Sequence, residues 1–378
     1  MLKLRDGSYV FLLLEVLCAV GELPMSALPL LGSYRSIRAA VHRGEIQQEV
    51  MLADGRTVSA RLFSISGSGK QKTLRLHKEA IPLLSMIHPM AKEVYMIVSH
   101  DHHFAGIERI VDRNHRVAET AVMCLRAGAE FRPYKLPQLQ LRTRRAVLQD
   151  GLCCYLSRNI KDFPESSMAK VGFGRCTGLL FTPYQPYALY NARTATMKWS
   201  GAAESKAQLF LMELVVKNSP HTSLDSAILF ASDRTVALET VLETMKPSRT
   251  DMHFPQVFPH IHFLPLSPDG LKLFRLLVQP DAKERILEAL LPDSMRIRQG
   301  SFASCDCDAV TGDKYILSHL DGDIARLILF RYAAATMPKN AAFEVICYPW
   351  QLAYVQPYLK DRIAIRCIDP DVLEAALE

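Results

Sequence analysis

The chain has 378 residues, 49% of them hydrophobic and 22% charged, which is enough apolar material for two or three domains and excludes a disordered chain. Its formal charge of +6 is too small to name a partner by itself. The nine cysteines include no CxxC pair and no apolar run is long enough to span a bilayer, so a cytoplasmic protein without membrane contact is expected.

Residues 1–90 predict a winged helix-turn-helix. "RDGSYVFLLLEVLCAVGELP" offers Asp6 or Ser8 as a cap, runs as an apolar helix and stops at Gly21 and Pro24. Its apolar stretch imitates a signal-peptide core, but Glu15 interrupts it, Asp6 precedes it and no clean cleavage site follows. "MSALPLL" is a short second helix or turn. Ser33 then caps "YRSIRAAVHRGEIQQEV", a third helix with Ile37, Ala40 and Val41 on one side and Arg35, Arg38, His42 and Arg43 on the others. Asp54-Gly55 signals a hairpin, "SGSGKQ" a flexible loop and "KTLRL" a strand. The phosphate-loop pattern fails there, with Ser64 and Gln71 standing where Gly and Ser or Thr are required.

Three helices followed by a β-ribbon is the order in which the third helix enters the major groove and the wing touches the DNA backbone. Between residues 31 and 78, nine Lys and Arg stand against three acids, an excess as large as that of the whole chain. Double-stranded DNA is therefore the expected partner. Arg35, Arg38, His42 and Arg43 would read or grip it, and Lys70, Lys72 and Arg75 would hold phosphates through the wing. A winged helix can also serve as a protein-interaction module, which leaves an assembly factor as an alternative.

Residues 91–128 predict a helical connector. "HDHHFAGIERIVDRNHRVAETAVMCL" has an apolar stripe, and Glu108, Asp112, His115 and Glu119 line its polar side. With His100 and His103 just before it, that side could hold a divalent metal. It could equally pair internally, through Glu108 or Asp112 with Arg116.

Residues 129–378 predict an α/β domain. "RPYKLPQLQLRTRRAVLQ" reads as a boundary loop. "TGLLFTPY", "YALYNAR" and "TATMKW" read as strands, "AAESKAQLFLMELVVKN" as a helix, and alternating strands and helices follow as far as "RIAIRCI". Three strands, an E-x-K at Glu204 and Lys206, then helix and strand form the outline of a restriction-endonuclease-like fold. Such a site needs a second acid to hold Mg²⁺ beside Glu204, and residues 166–203 contain no Asp or Glu. Glu204 and Lys206 are thus the candidate catalytic residues of an alternative reading, a metal-dependent DNA endonuclease, and Mg²⁺ is expected only under it. Glu204 is otherwise an acid in the first turn of a helix. Asp321 and Asp323 in "LDGD", His260 and His262 in "HIHF", and Cys305 and Cys307 beside Asp306 and Asp308 are further polar groups to which no metal set is assigned.

The segments "LRDGSYVFLLLEVL", "HHFAGIERIVDRNHRVAET", "YALYNARTATMKWSGAAESK", "DSAILF" and "LDGDIARLI" resemble the replication-relaxation family of Firmicute plasmids and conjugative elements. The resemblance implies a winged-helix DNA-binding region joined to a nuclease-like α/β domain, with a role in replication or mobilisation of a mobile element or in its regulation. Other replication or mobilisation proteins are further candidate partners. A homodimer is compatible with this reading. The fold class expected is α/β, or α+β overall. The missing upstream acid means that nuclease activity does not carry over from the family.

Overall fold

A computed structural model describes residues 2–5, 7–51, 55, 57–104, 106–131, 151–160, 173–296 and 305–371. The protein is of mixed α/β class, with helices packed on several sheets of three to six strands. It divides into two compact units, Met1–Phe181 with Lys217–Pro220, and Thr182–Val216 with His221–Glu378. Among the described residues no helix is long and apolar enough to cross a membrane.

The first unit starts with β1 (Leu2–Lys3) and α1 (Tyr9–Val20). The Ser8 hydroxyl accepts the Phe11 N–H at 3.3 Å and so caps α1. Gly21 ends it at φ +72°, a left-handed conformation that costs glycine little. Most of α1 is buried, which explains its near-continuous apolar sequence. β2 (Glu22–Pro24), α2 (Leu28–Leu31) and α3 (Tyr34–Glu45) follow. Ser33 occupies the cap position of α3 without capping it; its hydroxyl meets that of Ser36 instead.

Four strands come next: β3 (Gln48–Met51), β4 (Thr57–Ala60), β5 (Phe63–Ser66) and β6 (Thr73–Leu76). β3 and β4 are antiparallel, as the Asp54-Gly55 signal implied, and make a sheet of order β1-β3-β4. The second sheet, β2-β6-β5, is antiparallel throughout, with Leu74 opposite both Leu23 and Ile65. Gly44 lets α3 approach β5 closely, because a Cβ there would lie 2.1 Å from the Phe63 ring.

A 3-10 stretch, Lys78–Met86, leads to α4 (Ala91–Val98). His100, Asp101 and His102 then make a left-handed turn, with φ of 49°, 55° and 61°. The turn is tied down where the His102 Nδ1 meets the Tyr95 hydroxyl at 2.6 Å. The long helix α5 (Glu108–Arg126) leads to β7 (Glu130–Phe131), β8 (Cys153–Leu156), α6 (Ser157–Ile160) and β9 (Cys176–Phe181). β7 is parallel to β8, and β8 is antiparallel to β9. The expected boundary loop at 132–149 lies outside the described residues.

The expected boundaries at residues 90 and 128 do not coincide with a division between the compact units. A buried polar knot explains why. Glu22 on β2, 1% exposed, accepts N–H bonds from Arg75 Nε and Nη2 at 3.0 and 2.8 Å and from the Asn114 side chain on α5. Arg158 on α6 donates to Asn114, and to the last carbonyls of α1 and α4, Val20 and Val98, at 3.0 and 3.3 Å. Burial lowers the Arg158 pKa to about 10, against the upward pull of Glu22. Elements from all three expected domains therefore share one network.

The second unit begins with β10 (Tyr187–Arg193), α7 (Gly201–Asn218), β11 (Ser226–Ala231), α8 (Val236–Thr244), α9 (Phe254–Val257) and β12 (His260–Pro265). β11 is parallel to both β10 and β12, and helices make the crossovers that parallel strands need. The expected strand "TATMKW" is absent. A bulge at Asn191/Arg193 and a left-handed Arg193, φ +58°, end the pairing there. Trp199 turns inward instead, stacking on Phe254 at 4.3 Å and donating to the Met252 carbonyl at 2.7 Å.

After α10 (Pro268–Leu277) and α11 (Ala282–Leu290) come β13 (Ala309–Thr311), β14 (Lys314–Ser318), α12 (Ile324–Thr336), β15 (Ala342–Cys347), α13 (Leu352–Leu359) and β16 (Ile363–Cys367). The sheet order is β13-β14-β15-β16, with only β13 antiparallel.

Candidate nucleic-acid interface

α3 buries Ile37, Ala40, Val41 and Gly44 along one side. Arg35, Arg38, His42 and Arg43 recur at helical spacing on the other side and all four are exposed. The Arg38 guanidinium lies over the Tyr34 ring at 5.6 Å, and Arg43 Nε donates to the Ala39 carbonyl at 3.4 Å. Helix α3 thus presents a continuous cationic face with its backbone fixed from behind.

The loop between β5 and β6 carries Lys70 and Lys72, both exposed. Its sequence, "SGSGKQ", predicts a flexible loop. The structure gives it a 3-10 turn at Gly69–Gln71, closed by Gln71 N–H to Ser68 O at 3.0 Å and Lys72 N–H to Gly69 O at 3.2 Å. Glycine is required at residue 67, where φ is +76° and a Cβ would meet the Gln71 carbonyl at 2.6 Å.

Arg75 departs from the expected phosphate-holding set. It lies inside the loop's base with its side chain only 18% exposed, held by Glu22 and stacked on Phe104 at 4.3 Å. A guanidinium already matched to a buried carboxylate is a structural cation.

Glu204 and Lys206 do not converge. They stand in the first turns of α7, where i and i+2 project about 200° apart, rather than on a strand, where they would share a face. Glu204 is buried and accepts the Tyr190 hydroxyl at 3.1 Å, while Lys206 is exposed. The polar end of β10 offers Asn191 and Arg193 rather than carboxylates.

On α5, Asp112 pairs with Arg116 at 2.8 Å, and His115 and Glu119 are buried. Among the described residues no group of three or more His, Cys, Asp or Glu side chains is arranged to hold a metal ion.

Two polar clusters in the second unit joined residues that the sequence left separate. Asp323 caps α12 by accepting Ala325 N–H and Arg326 N–H at 3.0 and 3.3 Å, and also accepts Ile261 N–H at 3.2 Å and the His260 ring at 2.8 Å. Burial opposes its charge, but the bond from His260 and the nearby His262 hold its pKa well below the ordinary carboxylate range. The same bond raises the pKa of His260. His262 donates from Nδ1 to the Asp321 carbonyl at 3.0 Å.

In the second cluster, Arg326 forks onto Asp306 and Asp308, so the acids of "CDCD" are engaged in ion pairs. Burial alone would lower the Arg326 pKa; the two carboxylates more than reverse it. One signal could have found this pair: a lone Arg in the apolar run "DIARLILF" demands a buried partner.

No protein-family model, no curated protein and no solved structure matches this chain.

Proposed function

We propose that the first unit is a winged helix-turn-helix that binds double-stranded DNA, with α3 in the major groove and the β5–β6 loop on the phosphate backbone. The observation that carries the reading is the cationic face of α3, where Arg35, Arg38, His42 and Arg43 are all exposed opposite its buried stripe. The element order α1, β2, α2, α3 and then β3 to β6 supports it, with β2-β6-β5 as one sheet and the β3–β4 hairpin paired to β1 in another. Lys70 and Lys72 then act as the wing's phosphate contacts. The proposal extends to replication, mobilisation or regulation of a mobile element, on the resemblance of the quoted segments alone. The nuclease alternative draws no support from the placement of Glu204 and Lys206 on a helix.

The test is duplex binding by the full chain across a salt series. Steep salt dependence is expected, with Arg35→Ala/Arg38→Ala lowering the log–log slope by about 0.9 for each phosphate contact removed. Arg75→Ala should destabilise the first unit, because it strips the buried Glu22 of its partner, but leave the slope of the folded protein unchanged. Undiminished affinity in Arg35→Ala/Arg38→Ala sinks the assignment of α3, and absence of salt-sensitive binding favours the protein-interaction alternative.

A further inference from the structure

We propose that His115, on α5, is a positioning residue that holds the wing loop in its phosphate-binding shape. The inference rests on the winged-helix reading above and deepens it, because it assigns a role to a helix behind the recognition elements.

The loop bearing Lys70 and Lys72 is anchored on its C-terminal side by three bonds in two successive residues. The Lys72 carbonyl accepts Met25 N–H at 2.9 Å. The Thr73 hydroxyl donates to the Gln71 carbonyl at 2.7 Å, and the same hydroxyl oxygen lies 2.8 Å from His115 Nε2. Both Thr73 and His115 are 1% exposed.

The proton arrangement follows from counting. A threonine hydroxyl has one hydrogen, and a carbonyl can only accept, so the hydrogen of Thr73 is spent on Gln71. The bond to His115 must then run the other way, and Nε2 carries the proton. His115 therefore donates to Thr73, Thr73 donates to Gln71, and the chain of bonds ends on the carbonyl between the two lysines. That carbonyl also faces Gly67, which closes the other side of the loop.

Removing the donor leaves the buried Thr73 oxygen without its bond from α5, so the hydroxyl that holds the Gln71 carbonyl is no longer fixed by the helix. A loop that must be ordered on contact with DNA binds more weakly than one already shaped. His115 thus acts on affinity through Lys70 and Lys72, without touching the nucleic acid.

The experiment compares the full-length protein with His115→Leu and His115→Gln, whose amide nitrogen can replace Nε2 as donor. Two readouts are taken: tryptic cleavage after Lys70 and Lys72 in the absence of DNA, followed by mass spectrometry, and duplex affinity across salt. His115→Leu is expected to be cut at these lysines several-fold faster. Its affinity should fall several-fold at every salt concentration with the slope kept, because Lys70 and Lys72 still meet phosphate once the loop has ordered on contact. Adding Lys70→Ala and Lys72→Ala to it should cost no more affinity than those two changes alone, and His115→Gln should restore both readouts.

Where His115→Leu does not fold, Thr73→Val removes the same bond from the strand side. DNA binding by the unaltered protein that His115→Leu or Thr73→Val leaves unchanged overturns the positioning role while the winged-helix reading stands. Failure of the unaltered protein to bind DNA overturns that reading, and the positioning role with it.

Discussion

Replacing Glu22 by alanine is expected to destabilise the first unit by about 3–5 kcal/mol, the usual cost of removing one partner from a buried ion pair. Glu22 is 1% exposed and accepts three N–H bonds, two from Arg75 and one from Asn114. Asn114 in turn receives Arg158, whose pKa burial has already lowered to about 10. Without the carboxylate, Arg158 keeps its desolvation cost and loses the charge that offsets it. Against a total stability of roughly 5–15 kcal/mol for a domain, that is a large fraction.

Both tryptophans, Trp199 and Trp350, belong to the second unit, so their fluorescence reports the wrong half of the chain. Amide exchange in α1 and β6 under mild urea reports the first. The control is Glu22→Leu combined with Arg75→Met and Arg158→Met, which removes the carboxylate and both guanidinium groups around it. It should cost clearly less than the three single changes added together, because no unpaired ion remains. A cost for Glu22→Ala below about 1 kcal/mol, or full additivity in the control, would refute the buried-pair account.

Gly44→Ala tests the close approach of α3 to β5. Helix propensity favours alanine by about 1 kcal/mol, yet the Cβ would sit 2.1 Å from the Phe63 ring at a cost of about 1–3 kcal/mol, so a net loss of up to about 2 kcal/mol is expected in urea unfolding; a stabilised variant contradicts the packing. His319 makes the second unit acid-sensitive. Burial lowers its pKa from 6.5 to about 4, so its contribution is complete above 6.5 and is lost as the pH falls toward 4, by about 3 kcal/mol in all. The difference in unfolding free energy between the unaltered protein and His319→Gln should shrink over that window. A flat difference, or an NMR titration of His319 near 6.5, contradicts the assignment.

Much of the fold was legible because local signals agreed with one another. Ser8 and Gly21 bracket α1, Asp54-Gly55 separates β3 from β4, and "DSAILFAS", "HIHFLPLS" and "FEVICY" became buried parallel strands as their apolar runs require. The failures were of another kind. "TATMKW" has strand composition, but the left-handed Arg193 and the inward Trp199 decide its path, and both depend on contacts distant in sequence. The start of α10 is written locally, with Ser267 as its cap and Pro268 fixing the first φ. In the candidate interface, spacing alone placed Arg35, Arg38, His42 and Arg43 outward on α3. Spacing could not separate Arg75 from Lys70 and Lys72, because the carboxylate that claims it lies 53 residues away. The E-x-K pair misleads for a related reason: the same three letters converge on a strand and diverge on a helix.

Asp323 has a consequence for how the second unit comes apart. One carboxylate ties the start of α12 to the start of β12, across 62 and 63 residues of chain. Its acceptor capacity is filled only when the β10–β12 half and the β13–β16 half are both in place. Either half alone would leave the carboxylate, or the N–H groups it serves, without partners in a dry site. The tether therefore couples the two sheets into a single melting event, and a lesion in one should be felt in the other at the same denaturant concentration. Such long-range closure also slows assembly, since its loop entropy is lost before any contact across it is gained.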